Sequence, residues 1–468
     1  MRRTEHTGGI LHKMEKGGGI IPGGKRLAAA ALCLTLCLTG SGCAAGQETG
    51  GDLREDSLGT VGSGADGSEA PTQDGQTGVS DAELAPPTSF LGEGDMELAD
   101  MWPSCDDRAL GAVMRKAEAG EPVSIVCIGG SITQGTISSG AKDSELMKSG
   151  EIPSKKAYAD IFFQWWQERF PDTEFNFVNA GIGGTDSYLG VHRLEQNVLE
   201  HEPDLVLVEF SVNDGNDNFH KITYDNLIYN LLNDNSAPAV MLLFMAQTNG
   251  ASSQGNHVLV GFHYSIPMVS YANVMSDMTE TGRCSAKEMS GDEVHPSALG
   301  HAVTGEILWN YLNGVYEARD DLGEPETGAV SVLTKKAYGN ARILDSDDIV
   351  PEKLGDFVEN QVCGEFPGGW SCDGEGGIVF TASFSRLGIL YYATTDGTCG
   401  RFEVLVDGEH MQTINADFSG GWGNAIMTSE VYASGEEAVH TVEIRREADS
   451  TGNIFHLLGL MTSGIGAD

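Results

Sequence analysis

Between residues 105 and 318, short apolar runs alternate with longer segments in which apolar positions recur every three or four residues. Residues 123–128, 175–178, 205–210 (LVLVEF), 239–245 (AVMLLFM) and 266–270 are too short for helices and read as strands. Residues 157–170, 188–201, 222–233 and 297–316 read as helices, the first two stopped by Pro171 and Pro203. Strands with almost no polar position are covered on both faces, as in a parallel sheet between two layers of helix. The pattern predicts a three-layer α/β/α domain over residues 99–320, with its ligand site at the carboxyl ends of the strands.

From about residue 330 the period shortens. Residues 377–381, 388–393, 402–406, 411–414, 439–444 and 455–461 are strand-like, with turns such as Asp396-Gly397 and Asp407-Gly408 between them. No helical period intervenes, so residues 330–468 are expected to form a β-sandwich of jelly-roll type.

Ahead of the α/β pattern the composition changes twice. Residues 44–98 are rich in Gly, Ser, Thr, Asp and Glu, with Arg54 the sole basic residue, and read as a disordered linker. Residues 1–43 carry a basic lead and an apolar run (27–39) too short to span a bilayer, which is export-signal patterning. Gly40-Ser41-Gly42-Cys43 resembles the bacterial lipoprotein cleavage box, which implies lipidation of Cys43 and a cell-surface lipoprotein of a bacterium. The other reading is cleavage near Ala44-Ala45 and secretion. A membrane is then met only through the lipid anchor. The 468-residue chain has a formal net charge of −40, which repels nucleic acid and removes it as an expected partner.

Cys105, Cys127, Cys284, Cys363, Cys372 and Cys399 follow the signal. Export permits disulfides, and Cys363 with Cys372, bracketing a Gly/Pro-rich turn, is the expected pair. Cys127 lies in an apolar run and reads as a buried thiol. No C-x-x-C or H-E-x-x-H spacing occurs, so neither a metal nor another cofactor is expected.

Four polar stretches fall at strand ends or before the last helix: Gly129-Gly130-Ser131, Asn179 to Thr185, Ser211-Val212-Asn213-Asp214-Gly215, and Asp292-Glu293-Val294-His295. Each alone is ordinary turn chemistry. Together they hold what ester hydrolysis needs: a nucleophile, a base, a group that orients the base, and donors for an oxyanion. Ser131 offers the hydroxyl and His295 the base. Asp292, three residues earlier, is expected to share one face of a helical turn with His295 and fix its tautomer. Gly183 and Gly184 allow a backbone N–H to approach a small oxyanion, and Asn213 adds a side-chain NH2.

The order Ser, Gly, Asn, then Asp-x-x-His resembles the SGNH hydrolases, or GDSL esterases, over residues 120–315. The resemblance implies a flavodoxin-like α/β/α sheet and a catalytic set of Ser131, Asp292 and His295. It also implies an oxyanion hole from the Ser131 N–H, the Gly184 N–H and Asn213. Two positions depart from the family pattern. Gly130 stands where an aspartate is usual, and Ser211 where a glycine is usual. Both bear on local hydrogen bonding and on substrate rather than on reaction type. There is no glycine two residues after Ser131, so a G-x-S-x-G elbow is not matched, and the serine is expected on a looser loop leading into a helix.

Other residues admit two readings. Glu209 either bonds the catalytic loops or ends an exposed strand. Trp165 and Trp166 lie on one amphipathic helix, where at least one is expected in the core, the other reading being a sugar platform. Trp370 and Trp422, on Gly-rich β loops, suit either core packing or stacking on sugars. His220, His257, His263 and His301 have no evident partner, and the loop 136–156 follows the nucleophile. The expected function is an exported serine esterase that cleaves acyl, chiefly acetyl, esters on carbohydrate. The partners are then an acylated small molecule or polysaccharide, with glycan binding by the C-terminal domain. The alternatives are a lipid or aryl esterase of the same fold and a non-catalytic glycan-binding surface lipoprotein.

Overall fold

The computed structural model describes residues 86, 89–101, 105–138, 156–326, 328 and 330–464. The signal with Cys43, the linker through residue 85 and most of the loop 136–156 lie outside the described residues.

Five parallel strands are hydrogen-bonded in the order β2-β1-β3-β4-β5: β1 (Val123–Gly129), β2 (Phe175–Gly181), β3 (Leu205–Glu209), β4 (Ala239–Phe244) and β5 (Met268–Ser270). This is the expected flavodoxin-like order, and its switch point lies between β1 and β3. Odd-numbered residues of β1, β3 and β4 (Ile125, Cys127, Leu205, Leu207, Met241, Leu243) bury one face. Even-numbered ones (Val126, Ile128, Val206, Val208, Val240, Leu242) bury the other. This two-sided burial is why the strands lack polar positions.

The helices used below are α1 (Arg108–Glu118), α2 (Ser131–Gln134), α3 (Tyr158–Arg169), α4 (Ser187–His192), α5 (Asn218–Leu232), α6 (Gln254–Tyr264), α7 (Tyr271–Glu280) and α8 (Ala298–Ala318). Trp165 and Trp166 of α3 are fully buried with Leu299, Val303 and Trp309 of α8. Leu189, Leu227 and Val260, from α4, α5 and α6, cover the opposite face. The sequence pattern missed α1, α6 and α7. In α6, Gly255, Asn256 and Gly261 interrupt the apolar period, and Gly261 is needed where the helix rides over Met268 and Leu242. The single helix expected over 188–201 is instead α4, a four-residue helix Leu194–Asn197 and a 3-10 turn Leu199–His201.

The folded chain begins ahead of residue 99. Ser89 Oγ and the Phe90 and Leu91 N–H groups donate to the buried carboxylate of Glu306 on α8. Asp95, also buried, takes two bonds of 2.6 Å from Arg283. Residues 89–98 therefore belong to the folded domain and not to the linker.

The second domain is all β, in one hydrogen-bonded path β11-β10-β12-β9-β13-β8-β7, with β6 paired to β13. The strands are β6 (Gly339–Leu344), β7 (Phe357–Glu359), β8 (Trp370–Cys372), β9 (Ile378–Ala393), β10 (Arg401–Val406), β11 (Glu409–Asn415), β12 (Ala425–Arg446) and β13 (Phe455–Gly464). The long β12 bulges twice against β9. Side chains from seven of the strands meet in one core around Trp370, Phe380, Phe402 and Phe455, so the sheet curls over itself. Cys363 and Cys372 are buried free thiols, so the expected disulfide is not formed. Cys363 donates instead to Glu365 Oε2.

Polar pins and packed rings join the two domains. On α5, Asp225 accepts from Leu333 N–H and from the N–H and hydroxyl of Thr334. Next to it, Asn226 Oδ1 accepts from the N–H groups of Ala337 and Tyr338 at 2.9 and 3.0 Å. Tyr188 and His192 of α4 meet Tyr338 ring to ring, and Tyr338 Oη donates to Glu430, which also pairs with Arg386. Replacing Asn226 with alanine strands two buried N–H groups. N226A is expected to cost about 2–4 kcal/mol, read as a lower urea midpoint with the far-UV spectrum unchanged.

Candidate active site

β1 sits between β2 and β3 with Gly129 abreast of Gly181 on one side and Glu209 on the other. Three loops therefore leave the sheet together. In the first, the chain turns at Gly130 and enters α2 with Ser131 as its first residue. The nucleophile candidate thus leads into a helix, as expected, but from a tight strand-to-helix bend with one residue between the elements rather than from a looser loop.

Ser131 Oγ lies 2.8 Å from His295 Nε2, and His295 Nδ1 lies 2.7 Å from Asp292 Oδ2. The expected helical turn between Asp292 and His295 is absent. The segment is a bend in which Asp292 Oδ1 accepts from the N–H groups of Val294 and His295. Both carboxylate oxygens are thus committed within three residues. Burial works against a charge on Asp292, but the bonds from the His295 N–H and ring hold its carboxyl below the usual range. Glu293, between them, has φ +74°, a strained left-handed conformation for a side chain with a Cβ. Thr248 N–H steadies it by donating to the Glu293 carbonyl at 3.0 Å.

The second loop brings Gly183 and Gly184 beside the serine. A Cβ on Gly183 would come within 3.8 Å of Ser131 Cβ. Gly184 has φ +73°, which favours glycine. The loop is anchored from behind. Asn179 Nδ2 donates to Thr133 O at 2.8 Å, and the fully buried Arg193 donates to the carbonyls of Ala180 and Gly129. Burial lowers the Arg193 guanidinium to about 9.

The third loop carries Asn213. Its Oδ1 is buried against Gly130, with no hydrogen-bond partner among the described residues. A Cβ at position 130 would overlap that amide oxygen, so the absent aspartate leaves the space that Asn213 occupies. The other departure also has a partner. Ser211 N–H and Oγ donate to Glu209 Oε1 at 2.9 and 2.8 Å, and Ser211 Oγ accepts from Met245 N–H. Glu209 is therefore not an exposed strand end; it is fully buried and grips this loop. Burial pushes its carboxyl up to about 7.

Several groups around the loops carried no signal at the level of sequence. Asp214 Oδ1 accepts from Ser187 N–H and Oδ2 lies 2.9 Å from His257 Nε2. His257 stacks on Tyr224 with centroids 3.6 Å apart. His301 holds the Tyr158 N–H and faces Thr136 O, and His263 faces Ser331 O. These pairings join residues tens of positions apart, so spacing could not reveal them. A single arginine following an apolar helix, as Arg193 does, is the one local hint.

The two uncertain tryptophans part company. Trp370 is fully buried, whereas Trp422 is 74% exposed. The β domain brings Trp422 to the second loop, where a Cβ on Gly184 would lie 3.3 Å from the indole Cη2. Phe418 supports it edge-on at 5.9 Å. An exposed aromatic face therefore borders the loop next to Ser131. Among the described residues no cluster of three His, Cys, Asp or Glu could hold a metal ion.

Residues 127–303 match the model of the GDSL-like lipase/acylhydrolase family. Two solved structures of a two-domain esterase active on acetylated mannans are similar over nearly their whole length. One is 30% identical with a TM-score of 0.70, covering 80% of this chain and 99% of that one. The other, co-crystallised with mannopentaose, is 29% identical with a TM-score of 0.69 and the same coverage. No curated protein sequence matches. With the α/β/α fold, the added β domain and these likenesses together, the chain belongs to the GDSL-like lipase/acylhydrolase family and is a carboxylic ester hydrolase.

Proposed function

We propose that this chain removes acetyl groups from acetylated polysaccharide through Ser131, His295 and Asp292. The observation that carries the reading is the unbroken line of hydrogen bonds from Asp292 through His295 to Ser131. His295 takes the Ser131 proton as Oγ attacks the ester carbonyl carbon. The carbonyl oxygen becomes an oxyanion held by the N–H groups of Ser131 and Gly184 and by Asn213 Nδ2. Collapse expels the sugar alkoxide, which receives the proton from His295 and leaves Ser131 acetylated. A water deprotonated by His295 repeats the sequence and releases acetate. Asp292 stays ionised and stabilises the imidazolium.

Carbohydrate as the acyl carrier is supported by two features. The structural relatives act on acetylated mannans. Trp422, together with Phe418, offers an apolar face beside Gly184 on which a sugar ring can lie. The β domain thus joins in binding the glycan. We further propose export with a lipid on Cys43, supported by the basic lead, the short apolar run and the small residues before that cysteine.

Three measurements test these roles. Ser131→Ala is expected to lower release of p-nitrophenol from p-nitrophenyl acetate by about 1,000-fold or more; equal rates for the two proteins would sink the nucleophile assignment. Gly130→Ala pushes a methyl into the Asn213 amide and is expected to cut kcat by about 10–100-fold with KM little changed, the contrary result being unchanged kcat. Trp422→Ala is expected to lower kcat/KM on an acetylated manno-oligosaccharide by about 5–10-fold and to leave p-nitrophenyl acetate nearly unaffected. A parallel loss on both esters would show that Trp422 shapes the site rather than holding sugar.

A further inference from the structure

His220 carries no signal in the sequence, yet it sits between the two loops that supply the oxyanion donors. Its Nδ1 lies 3.0 Å from Asp217 Oδ1, and its Nε2 lies 3.5 Å from Asp186 Oδ2. Asp186 follows Gly184 by two residues and caps α4, its Oδ1 accepting from Leu189 N–H. Asp217 follows Asn213 by four residues and caps α5, its Oδ1 accepting from His220 N–H. Each carboxylate thus serves one helix N-terminus and turns toward the same imidazole.

We propose that His220, as an imidazolium, is a positioning residue that clamps the Gly184 loop to the Asn213 loop and so holds the oxyanion hole together. This rests on the oxyanion roles assigned above to Gly184 and Asn213. Links that do not involve the His220 ring run beside the clamp. Ser187 N–H donates to Asp214 Oδ1 at 2.8 Å, Ser187 and Thr223 share a hydroxyl bond of 2.6 Å, and Thr223 Oγ1 donates to His220 O. The clamp differs from these in depending on the charge of the His220 ring. Without the positive ring, Asp186 and Asp217 face each other as like charges, with Asp214 close by, and the N-termini of α4 and α5 are driven apart. Gly215 makes the arrangement possible, since a Cβ there would lie 2.6 Å from Asp217 Oδ2 and 3.1 Å from His220 Nδ1.

The groups facing His220 can be named element by element. Asp186 comes from the cap of α4, Asp217 from the cap of α5 and Asp214 from the third loop, with His257 of α6 engaged on Asp214 Oδ2. Phe219 presents its ring at right angles, 5.1 Å away. Burial disfavours a charge on His220. The Asp186 carboxylate 3.5 Å away, the field of Asp214 and the bond to Asp217 outweigh it and raise the ring to about 9. A histidine raised above its free value of about 6.5 stabilises the fold fully below that value. That contribution is lost as pH rises through about 9. The clamp is therefore closed at neutral pH and opens in alkali.

The test is the pH profile of p-nitrophenyl acetate hydrolysis by wild type, His220→Gln and Asp217→Asn, with Ser131→Ala as the background. Wild-type kcat is expected to fall as pH passes about 9. In H220Q, kcat should be about 5–10-fold lower at neutral pH, KM within about twofold, and the alkaline fall absent. In D217N, whose asparagine still caps α5, the fall should move down by about one pH unit. Wild-type kcat in H220Q, or an alkaline fall at the same pH in wild type and D217N, overturns the proposal. If H220Q does not fold, the comparison of wild type with D217N decides. A loss of thermal stability in H220Q with kcat and profile unchanged would mark His220 as structural and likewise overturn it. Activity surviving in S131A would instead overturn the catalytic reading on which the clamp rests.

Discussion

Gly129, Gly181 and Glu209 stand abreast at the ends of three adjacent parallel strands, and the site depends on that register. Parallel strands deliver all their following loops to one edge of the sheet. Central β1 therefore releases Ser131 between the Gly184 loop on one side and the Asn213 loop on the other. A one-residue slip in either ladder would invert the alternation of side chains and move one loop by about 3.3 Å, enough to part Ser131 from the Gly184 or the Asn213 loop. The two-sided apolar burial of β1 and β3 holds the register, because no slipped pairing buries both faces as well.

The two departures from the family pattern are local solutions to one packing problem. With no side chain at Gly130, the Asn213 amide can lie directly on the backbone that leads into Ser131. The Asn213 loop then needs support from beneath, and Ser211 supplies it by linking Glu209 to the Met245 N–H. A glycine at 211 would leave Glu209 and that N–H without this bridge. Arg193 does for the Gly184 loop what Glu209 does for the Asn213 loop, with its charge set against the strand-end carbonyls of Gly129 and Ala180. Each loop is thus held from within the fold by one buried ionisable side chain.

The β domain is built into this arrangement rather than appended to it. Its first residues are pinned to α5 by Asp225 and Asn226, and its strands press on Tyr188 of α4, the helix that follows the Gly184 loop. With the domain fixed at these points, the loop carrying Trp422 reaches Gly184 from outside. The same residues that join the domains therefore set where the exposed indole stands.

Much of this was legible in the sequence. The all-apolar strands identified a parallel sheet because burial on both faces leaves a local imprint on every residue. Ser131, Gly184, Asn213, Asp292 and His295 could be picked out as candidates because each sits within a short motif next to an element end. The helical turn assumed for Asp292 and His295 was not, since an Asx-type bend and a helical turn share the same spacing. Trp370 and Trp422, in near-identical Gly-Gly-Trp settings, could not be told apart, because only the curl of the sheet decides which indole meets the core. The same holds for His220, His257 and His301, whose partners lie on other elements. The sequence by itself determined the strands, the longer helices and the candidate groups at their ends, because periodicity and motif are properties of neighbouring residues. The tertiary structure alone decided which charges meet, which tryptophan faces the site and how the two domains join, because those depend on distances between segments far apart in the chain.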